Sequence, residues 1–247
     1  MSIALDLAKK GIPFSTPNPS VGCVIVECDK FNKKDKIVGY GFTQKGGRPH
    51  AEAEAISKVS FKKNRKYICY STLEPCCHIG RDESCVTKIL KTPISEVVFS
   101  LGDPDSRVRN NGAVAFEKEK IKVRQGILKR EVIEIYKGYF LNRLKNRPFV
   151  TLKFASSMDG KIAYLNNMKR WISNSLSRKI VHHLRSKNDA ILVGSKTVKI
   201  DNPDLTCRLK GLEKSSPIRI IINRNFDLSD NSKIFSPSNV KTVIFSL

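Results

Sequence analysis

The sequence predicts an α/β protein made of two domains, the first of which has three layers with a sheet between helices. Two observations lead to this prediction. Short apolar segments alternate with helical segments along most of the 247 residues. A polar stretch that ends in a proline, at 142–148, interrupts this alternation before it resumes. We therefore expect a first domain over 1–145 and a second over 148–247.

The first seven elements of the first domain follow one another in the order α-β-β-α-β-α-β, and one more strand comes after them. Residues 1–11 have the spacing of an amphipathic helix with Ile3 and Leu7 on its apolar face. Two apolar runs, 21–26 and 37–42, flank a charged segment and predict a β-hairpin. The other predicted elements are helices at 50–60 and 85–90 and strands at 66–71, 96–100 and 120–123.

A second series of elements begins at residue 148. An apolar strand is predicted at 149–155, and the segment SSMDGK favours a turn after it. The remaining predicted elements are a helix at 174–186 and strands at 189–194, 217–223 and 241–247. Strands that alternate with helices in this way indicate a second α/β domain.

The composition is that of a protein that folds in water. Hydrophobic residues make up 40% of the chain and charged residues 28%, and no run reaches the eighteen or so apolar residues of a membrane span. The N-terminus lacks a secretion signal. The seven cysteines, an odd number, argue for reduced thiols or metal ligands and against a disulfide framework. We expect a cytoplasmic protein that does not bind membranes.

The formal net charge of +22 raises the question of a nucleic-acid partner. Lysines supply most of the positive charge and are spread along the whole chain, and no basic patch is interleaved with aromatic residues. This distribution favours a solvated, lysine-rich surface over a nucleic-acid interface. It also fits attraction of small anionic substrates.

Three residues with zinc-binding side chains have a spacing that predicts a metal site. His50 opens a predicted helix, Cys76 follows Pro75 at the predicted start of another, and Cys85 comes nine positions later. Zinc binds imidazole nitrogen and thiolate sulfur in tetrahedral geometry, and a catalytic zinc keeps one of its four positions for water. We therefore predict that His50, Cys76 and Cys85 are the protein ligands of a catalytic Zn²⁺.

Glu52, two residues after the first of these ligands, has a different predicted role. Its carboxylate can lie beside the water without binding the metal, accept the water's proton and pass it to a substrate nitrogen. The order H-x-E, then P-C and a further cysteine, is typical of zinc deaminases. A structural zinc site is the alternative. It needs a fourth protein ligand, for which Cys77 and His78 are candidates, and it leaves Glu52 without a role.

The segments that carry these residues resemble the bifunctional riboflavin-biosynthesis deaminase/reductase family. They are TPNPSVGCVIV, GRPHAEAEAI and STLEPCCHIGRDESCV. Eight residues separate Cys76 from Cys85, as in that family, whereas many nucleoside and tRNA deaminases have two. Cys77 stands where the family more often has Ser or Thr. The resemblance implies a cytidine-deaminase-like fold for the first domain.

After residue 148 the chain resembles the first part of the same family's reductase domain, which has a dihydrofolate-reductase-like fold. The segments are TLKFASSMDGKIA, WIS, LRSKNDAILVGSKTVKIDNPDLTCR and PIRIIIN. By this resemblance, the residues expected to contact NADPH are Ala155, Trp171, Thr197, Asp201 and Arg224. Those implied at the phosphoribosyl substrate are Lys169, Arg185, Leu205 and Arg208. Lys169 stands where the family usually has Ser.

The resemblance stops before the reductase domain of the family ends. Only 148–247 is available for this domain, and no glycine-rich phosphate loop follows Gly160. We therefore expect an incomplete reductase part with unpaired sheet edges and an uncovered apolar face. Three explanations stay open: a fragment of a longer protein, a gene reduced to its deaminase, and a split enzyme completed by another chain.

By this resemblance the chain is expected to deaminate 2,5-diamino-6-(5-phosphoribosylamino)pyrimidin-4(3H)-one by zinc-dependent hydrolysis. Asn18 is expected to hydrogen-bond the substrate, and His78 and Arg81 to reach its ring edge or phosphate. Reduction of 5-amino-6-(5-phosphoribosylamino)uracil by NADPH is a second expected activity, and a homo-oligomer is the expected assembly. The alternatives are a nucleic-acid deaminase of the tRNA type and a non-catalytic zinc-binding partner of a separate reductase chain.

Overall fold

The computed structural model describes residues 1–28, 35–78, 82–163, 171–236 and 240–246. They belong to two compact units, Met1–Val150 and Thr151–Leu247. Within the described ranges, no helix combines the length and the apolar character needed to cross a membrane.

A five-stranded mixed sheet is the centre of the first unit. Its strands are β1 (Gly22–Cys28), β2 (Lys36–Phe42), β3 (Lys66–Leu73), β4 (Ile94–Leu101) and β5 (Lys122–Gln125). They lie in the order β2-β1-β3-β4-β5. β1 pairs antiparallel with β2, which confirms the predicted hairpin, whereas β3, β4 and β5 run parallel. The C-terminal ends of the three parallel strands therefore meet at one edge of the sheet.

Helices cover both faces of this sheet, which confirms the predicted three-layer arrangement. They are α1 (Ser2–Gly11), α2 (Ala51–Ile56), α3 (Cys85–Leu90), α4 (Asn111–Lys118) and α5 (Lys129–Lys145). One face packs against α2, α3 and α4 in a core that includes Cys69, Phe99 and Phe116. The other packs against α1 and α5 through residues such as Leu5 and Tyr136. Burial of each large apolar side chain stabilises the unit by about 1.5–3 kcal/mol.

The segment after β3 does not open a helix, contrary to the prediction. Residues 74–78, which include Cys76, are irregular, and α3 begins at Cys85 instead. The side chain of Ser84 accepts a hydrogen bond from Thr87 N at 3.1 Å, and this N-cap fixes where the helix starts. Cys76 therefore lies in a loop that faces the first turn of α3.

The predicted helices also differ from the observed ones in where they end, in their number and in which residues they bury. The helix predicted over 50–60 ends at Ile56, and the sequence prediction lacks α4 and α5 altogether. Ile3 is exposed, whereas Leu7 is buried with its neighbours on the core side of α1. The apolar face of α1 is therefore narrower than its sequence indicates.

The second unit contains a three-stranded parallel sheet. Its elements are α6 (Ser175–Ser186), β6 (Ala190–Gly194), α7 (Ser195–Asp201), β7 (Ile218–Ile222) and β8 (Thr242–Phe245). The strands lie in the order β6-β7-β8. The side chain of Asn174 accepts a hydrogen bond from Ser177 N at 2.8 Å and caps α6. These strands and α6 confirm the predicted elements, and α7 is an addition.

The strand predicted at 149–155 is not formed. Phe149 is 50% exposed and Phe154 is 76% exposed, and none of the strands in the described ranges pairs with this segment. An apolar run becomes a strand only where another strand supplies hydrogen-bond partners for its backbone.

One face of the second unit's sheet is packed and the other is open. Ile221 and Ile244 on the packed face belong to an apolar cluster that includes Val198 from α7. On the opposite face, Leu192 and Phe245 are 58% and 57% exposed. The described residues therefore bear out the expectation of an uncovered apolar face.

Candidate metal centre and active-site cleft

Loops from the ends of the parallel strands converge on one cleft in the first unit. Cys76 lies three residues after β3, and Asp103 lies two residues after β4. His50 and Glu52 reach the same cleft from the N-terminal end of α2. Asn18, from the loop before β1, also lines it. The carboxyl ends of parallel strands are the usual place for ligand sites in α/β proteins.

The three predicted metal ligands lie together. His50 Nδ1 is 3.5 Å from Cys76 Sγ and 3.3 Å from Cys85 Sγ, and one ligand atom of each residue lies within 4.8 Å of the others. A tetrahedral zinc with bonds of about 2.3 Å to sulfur and about 2.0 Å to nitrogen separates those atoms by about 3.5 Å. The donor set and its spacing therefore fit Zn²⁺.

The candidates for a fourth protein ligand do not join this cluster. The thiol of Cys77 donates instead to Arg107 O, 3.3 Å away. His78 is outside the group of described residues whose ligand atoms could hold one ion. Three protein ligands leave one position of a tetrahedral zinc open, as in catalytic sites.

The two thiols of the cluster have opposite tendencies to ionise. Cys85 N also donates to Cys76 Sγ at 3.4 Å. Hydrogen bonding from Cys85, and then from His50, lowers the pKa of Cys76 to about 4. The same contact with Cys76, together with burial, raises the pKa of Cys85. Cys76 is therefore a thiolate at neutral pH, which is the form that binds a metal.

Glu52 is buried beside these ligands, with 3% of its surface exposed. Ser71 Oγ donates to Glu52 Oε1 at 3.2 Å, and the Cys85 thiol donates to Oε2 at 3.4 Å. Burial raises the pKa of Glu52 above the ordinary value of a glutamate. A carboxyl group with a raised pKa next to a metal cluster is suited to transfer protons near neutral pH.

Asn18 lies next to His50, and its predicted contact with the substrate stays a prediction. Its Nδ2 donates to Gly47 O at 2.9 Å and is 3.5 Å from His50 Nε2. His78 also lines the cleft. Arg81, which was expected beside it, falls outside the described residues.

The sequence prediction missed Glu74, which holds the loop after β4 against the metal-ligand segment. Its buried carboxylate accepts hydrogen bonds of 3.1–3.4 Å from the backbone N–H of Asp103, Asn110, Gly112 and Ala113. A Cβ on Gly112 would lie 2.8 Å from Pro75 O, so this close approach requires glycine. The signal was an acidic residue at the end of a buried strand, directly before Pro75.

Charged side chains from this loop and from α5 line the same cleft. Arg107 donates from Nε and Nη2 to the two oxygens of Asp105, at 2.9 and 2.7 Å. Arg143 Nε lies 3.9 Å from the same carboxylate. Tyr139 Oη donates to Asp103 Oδ1 at 2.8 Å. The sequence prediction did not single out any of these residues.

Three of the residues expected at a phosphoribosyl group lie near one another in the second unit. Arg185 Nη1 donates to Thr206 O at 3.0 Å. This contact ties α6 to the loop that contains Leu205 and Arg208. Lys169, the fourth, falls outside the described residues.

The residues expected at NADPH belong to four segments of the second unit. Thr197 and Asp201 share one face of α7, four positions apart. Trp171 precedes α6, and its ring centroid is 5.0 Å from the Arg178 guanidinium. Ala155 lies in an irregular segment, and Arg224 in a turn after β7. Their roles stay predictions.

Both parts of the chain match known protein families. Residues 1–101 match the cytidine and deoxycytidylate deaminase zinc-binding region. Residues 148–247 match the RibD C-terminal domain. These matches agree with the fold class predicted from the sequence, and they do not favour a nucleic-acid deaminase.

Curated relatives match along nearly the whole chain. The riboflavin biosynthesis protein RibD of Aquifex aeolicus (strain VF5) is 36% identical over 246 residues, which are 100% of this chain and 67% of the relative. The protein of the same name from Escherichia coli (strain K12) is 35% identical over 234 residues, or 90% of this chain and 62% of the relative. The chain thus spans about two thirds of the length of the relatives it matches.

Solved structures of RibD proteins also match this chain along its whole length. Acinetobacter baumannii RibD, form 1, has a TM-score of 0.88 and 32% identity, over 100% of this chain and 68% of that one. The diaminohydroxyphosphoribosylaminopyrimidine deaminase/5-amino-6-(5-phosphoribosylamino)uracil reductase of Thermotoga maritima also has a TM-score of 0.88, with 37% identity and the same coverage. These likenesses confirm the fold class of a deaminase-like part followed by a reductase-type part.

Proposed function

Because this chain belongs to the RibD family of riboflavin-biosynthesis proteins, we propose that its first unit is a zinc-dependent hydrolytic deaminase. The proposed substrate is 2,5-diamino-6-(5-phosphoribosylamino)pyrimidin-4(3H)-one, which loses its 2-amino group as ammonia and gains a carbonyl there. The observation that carries the proposal is the triangle of His50, Cys76 and Cys85 with the buried carboxylate of Glu52 beside it.

The proposed roles follow from the chemistry of each group. When bound to these three ligands, zinc supplies a Lewis acid that makes water a nucleophile near neutral pH. Glu52 accepts a proton from the attacking water and delivers it to the ring nitrogen next to the amine-bearing carbon. It then takes the remaining proton of the added hydroxyl group and passes it to the amine, so that ammonia leaves and a carbonyl forms. The raised pKa of Glu52 matches this double role, since the same group must first act as a base and then as an acid. Asn18, beside His50, is proposed to hydrogen-bond the pyrimidine ring.

Replacing the carboxylate of Glu52 tests this proposal. For Glu52→Gln we expect ammonia release to fall by about 10²–10⁴-fold, because the amide cannot carry the proton. Bound zinc, measured by atomic absorption, should stay at one per chain, since Glu52 is outside the ligand set.

Glu54→Gln is the matched control for Glu52→Gln. Glu54 belongs to the same short helix but pairs with Lys58 at 2.8 Å, away from the ligands, so its variant should keep full activity. Full activity of the Glu52→Gln variant with zinc bound would contradict the role of Glu52. A zinc-loaded wild-type chain that releases no ammonia from this substrate would contradict the function itself.

A second proposed activity is reduction of the deaminated product by the second unit. RibD reductase domains use NADPH, and the match over 148–247 supports the same cofactor here. The neighbouring Arg185 and Arg208 are suited to hold a phosphate through their planar, charged groups. Oxidation of NADPH by this chain in the presence of 5-amino-6-(5-phosphoribosylamino)uracil is the measurement that tests it. We further propose a homo-oligomer located in the cytoplasm.

A further inference from the structure

We propose that Asp103 determines substrate specificity, its carboxylate accepting a hydrogen bond from the amino-substituted edge of the pyrimidine opposite the carbon that is deaminated. The proposal deepens the deaminase function and rests on it. It is carried by the burial of Asp103, by the direction of its hydrogen bonds and by its position in the cleft.

The position of Asp103 follows from the topology of the sheet. β3 and β4 are parallel neighbours, so the loops at their C-terminal ends lie side by side. The loop after β3 carries the ligand Cys76, and the loop after β4 carries Asp103. Both side chains line the same cleft, and Glu74 joins the two loops by accepting from Asp103 N at 3.2 Å.

Both hydrogen bonds that orient the Asp103 carboxylate are made to the same oxygen, Oδ1. Tyr139 Oη donates to Oδ1 at 2.8 Å, and Asp105 N donates to the same oxygen at 2.9 Å. Among the described residues, no donor is bonded to Oδ2. Since two bonds to Oδ1 fix the orientation of the carboxylate, Oδ2 is a preorganised acceptor on a residue that lines the cleft.

This acceptor is unusual because Asp103 is only 8% exposed. Burial makes a carboxylate costly to desolvate, and an oxygen of such a group that has no protein donor can accept a hydrogen bond from a ligand. The nearby arginines do not neutralise it directly. Arg107 is engaged with both oxygens of Asp105, and Arg143 lies 3.9 Å from that same residue.

The chemistry of the proposed substrate supplies the missing donor. With the 2-carbon at the metal ligands and Glu52, the far edge of the ring carries the 5-amino group and the N–H of the 6-substituent. Both are donors, and an anionic oxygen is the strongest acceptor a side chain can offer them. In cytosine the ring atom opposite the deaminated carbon is the nitrogen N1, which carries no exocyclic amino group. A carboxylate that accepts from such an amino group therefore favours the diaminopyrimidine over cytosine.

The experiment compares two substrates and two forms of the protein. The substrates are the proposed diaminopyrimidine and its analogue without the 5-amino group, and the proteins are the zinc-loaded wild type and Asp103→Asn. The amide keeps an oxygen for Tyr139 Oη and Asp105 N, but it presents N–H instead of an acceptor to the ring. We expect kcat/KM of the variant for the diaminopyrimidine to fall by about 10- to 100-fold, the range for one hydrogen bond to a charged group.

The selectivity between the substrates separates a specificity role from a structural one. The wild type should prefer the 5-amino substrate by about 10- to 100-fold, and Asp103→Asn should lose most of that preference. Bound zinc and the thermal midpoint should not fall, because the amide carries no buried charge. Equal losses on both substrates, or no preference in the wild type, would overturn the proposal.

Two further results complete the design. Asp6→Asn, which changes an exposed carboxylate paired with Lys9 on α1, should match the wild type on both substrates. If the wild type deaminates neither substrate, the proposed function fails. If it deaminates both equally well, the function stands and the assignment of Asp103 fails, a result that does not require any variant to fold.

Discussion

At the scale of single residues, Asp105 is the acidic partner of arginine side chains that line the cleft. Its carboxylate receives a forked pair of hydrogen bonds from Arg107, and Arg143 lies near the same group. The Arg107 guanidinium holds the pKa of Asp105 well below the ordinary value of an aspartate. The loop after β4 is therefore stabilised by a charge pair as well as by Glu74.

Removing Arg107 should destabilise the first unit in a pH-dependent way. We expect Arg107→Ala to cost about 0.5–1 kcal/mol at pH 7, a small value because Arg107 is exposed to solvent. A carboxyl whose pKa is lowered by folding contributes stability above its unfolded pKa, near 3.9, and loses it as the pH falls towards the lowered value. Hydrogen exchange of β4 amides at pH 7 and pH 3.5 should show the cost shrinking at the lower pH.

The control for Arg107→Ala is the Asp105→Asn background. There the arginine has no charge to pair with, so its removal should have little further effect at either pH. A cost of Arg107→Ala that stays equal at both pH values would show that the arginine acts through packing and not through its charge.

The sequence alone was sufficient to predict the cluster of His50, Cys76 and Cys85 but not the residues around it. His50, Glu52, Cys76 and Cys85 belong to two short motifs, and few side chains can perform metal binding and proton transfer. Glu74 and Asp103 depend on contacts between loops that are distant in sequence, such as the bond between Glu74 Oε2 and Asp103 N. An aspartate after a strand has no local sign that one of its oxygens is left for a ligand.

At the scale of elements, the packing of α1 on the sheet depends on one close approach. A Cβ on Gly22, the first residue of β1, would lie 1.8 Å from Ala4 O and 2.7 Å from Ala8 N. These are backbone atoms in the middle of α1, so a side chain at Gly22 cannot be accommodated by a rotamer change. The absence of a Cβ at this position allows α1 to bury Ala4 and Ala8.

Adding a methyl group at Gly22 should therefore displace α1. We expect Gly22→Ala to lower the free energy of unfolding of the first unit by about 1–3 kcal/mol, the range for overpacking. Gly138→Ala is the matched control, since its Cβ would meet Phe149 Cβ at an ordinary 3.6 Å inside α5, and it should be neutral or stabilising by about 0.5–1 kcal/mol. Hydrogen exchange of α1 amides measures both, and equal exchange in the two variants would contradict the close-approach account.

Two errors of the sequence prediction, at α4 and at 149–155, arise where local signals conflict with the structure. The N-cap residue of α4 is Asn110, at a φ of 61°, and Asn111 and Gly112 follow it. Such residues are typical of turns. Gly112 is required by the approach to Pro75 O, not by helix propensity. The apolar run at 149–155 is the opposite case, a predicted strand that does not form. Strand formation depends on a partner strand, which no local pattern reveals.

At the scale of the whole molecule, the net charge of +22 is what remains after every acidic residue has been counted against a basic one. The ion pairs in the described residues are mostly exposed, for example Lys9 with Asp6 and Lys199 with Asp227, and such pairs each contribute about 0–1 kcal/mol. The unpaired lysines repel one another in the folded state more strongly than in an expanded chain. The excess charge therefore favours solubility at some cost in stability.

Salt should consequently stabilise this protein. Raising NaCl from about 20 to 300 mM shortens the screening length from roughly 20 to 6 Å, which weakens the summed repulsion more than it weakens contacts within pairs. We expect the thermal midpoint to rise by a few degrees, roughly 1 kcal/mol. Replacing the exposed Lys62, Lys63 and Lys118 by Glu removes two charges at each position and takes the net charge from +22 to +16, so the rise should become smaller. A midpoint that falls with salt in the wild type would mean that ion pairs, and not self-repulsion, dominate its electrostatics.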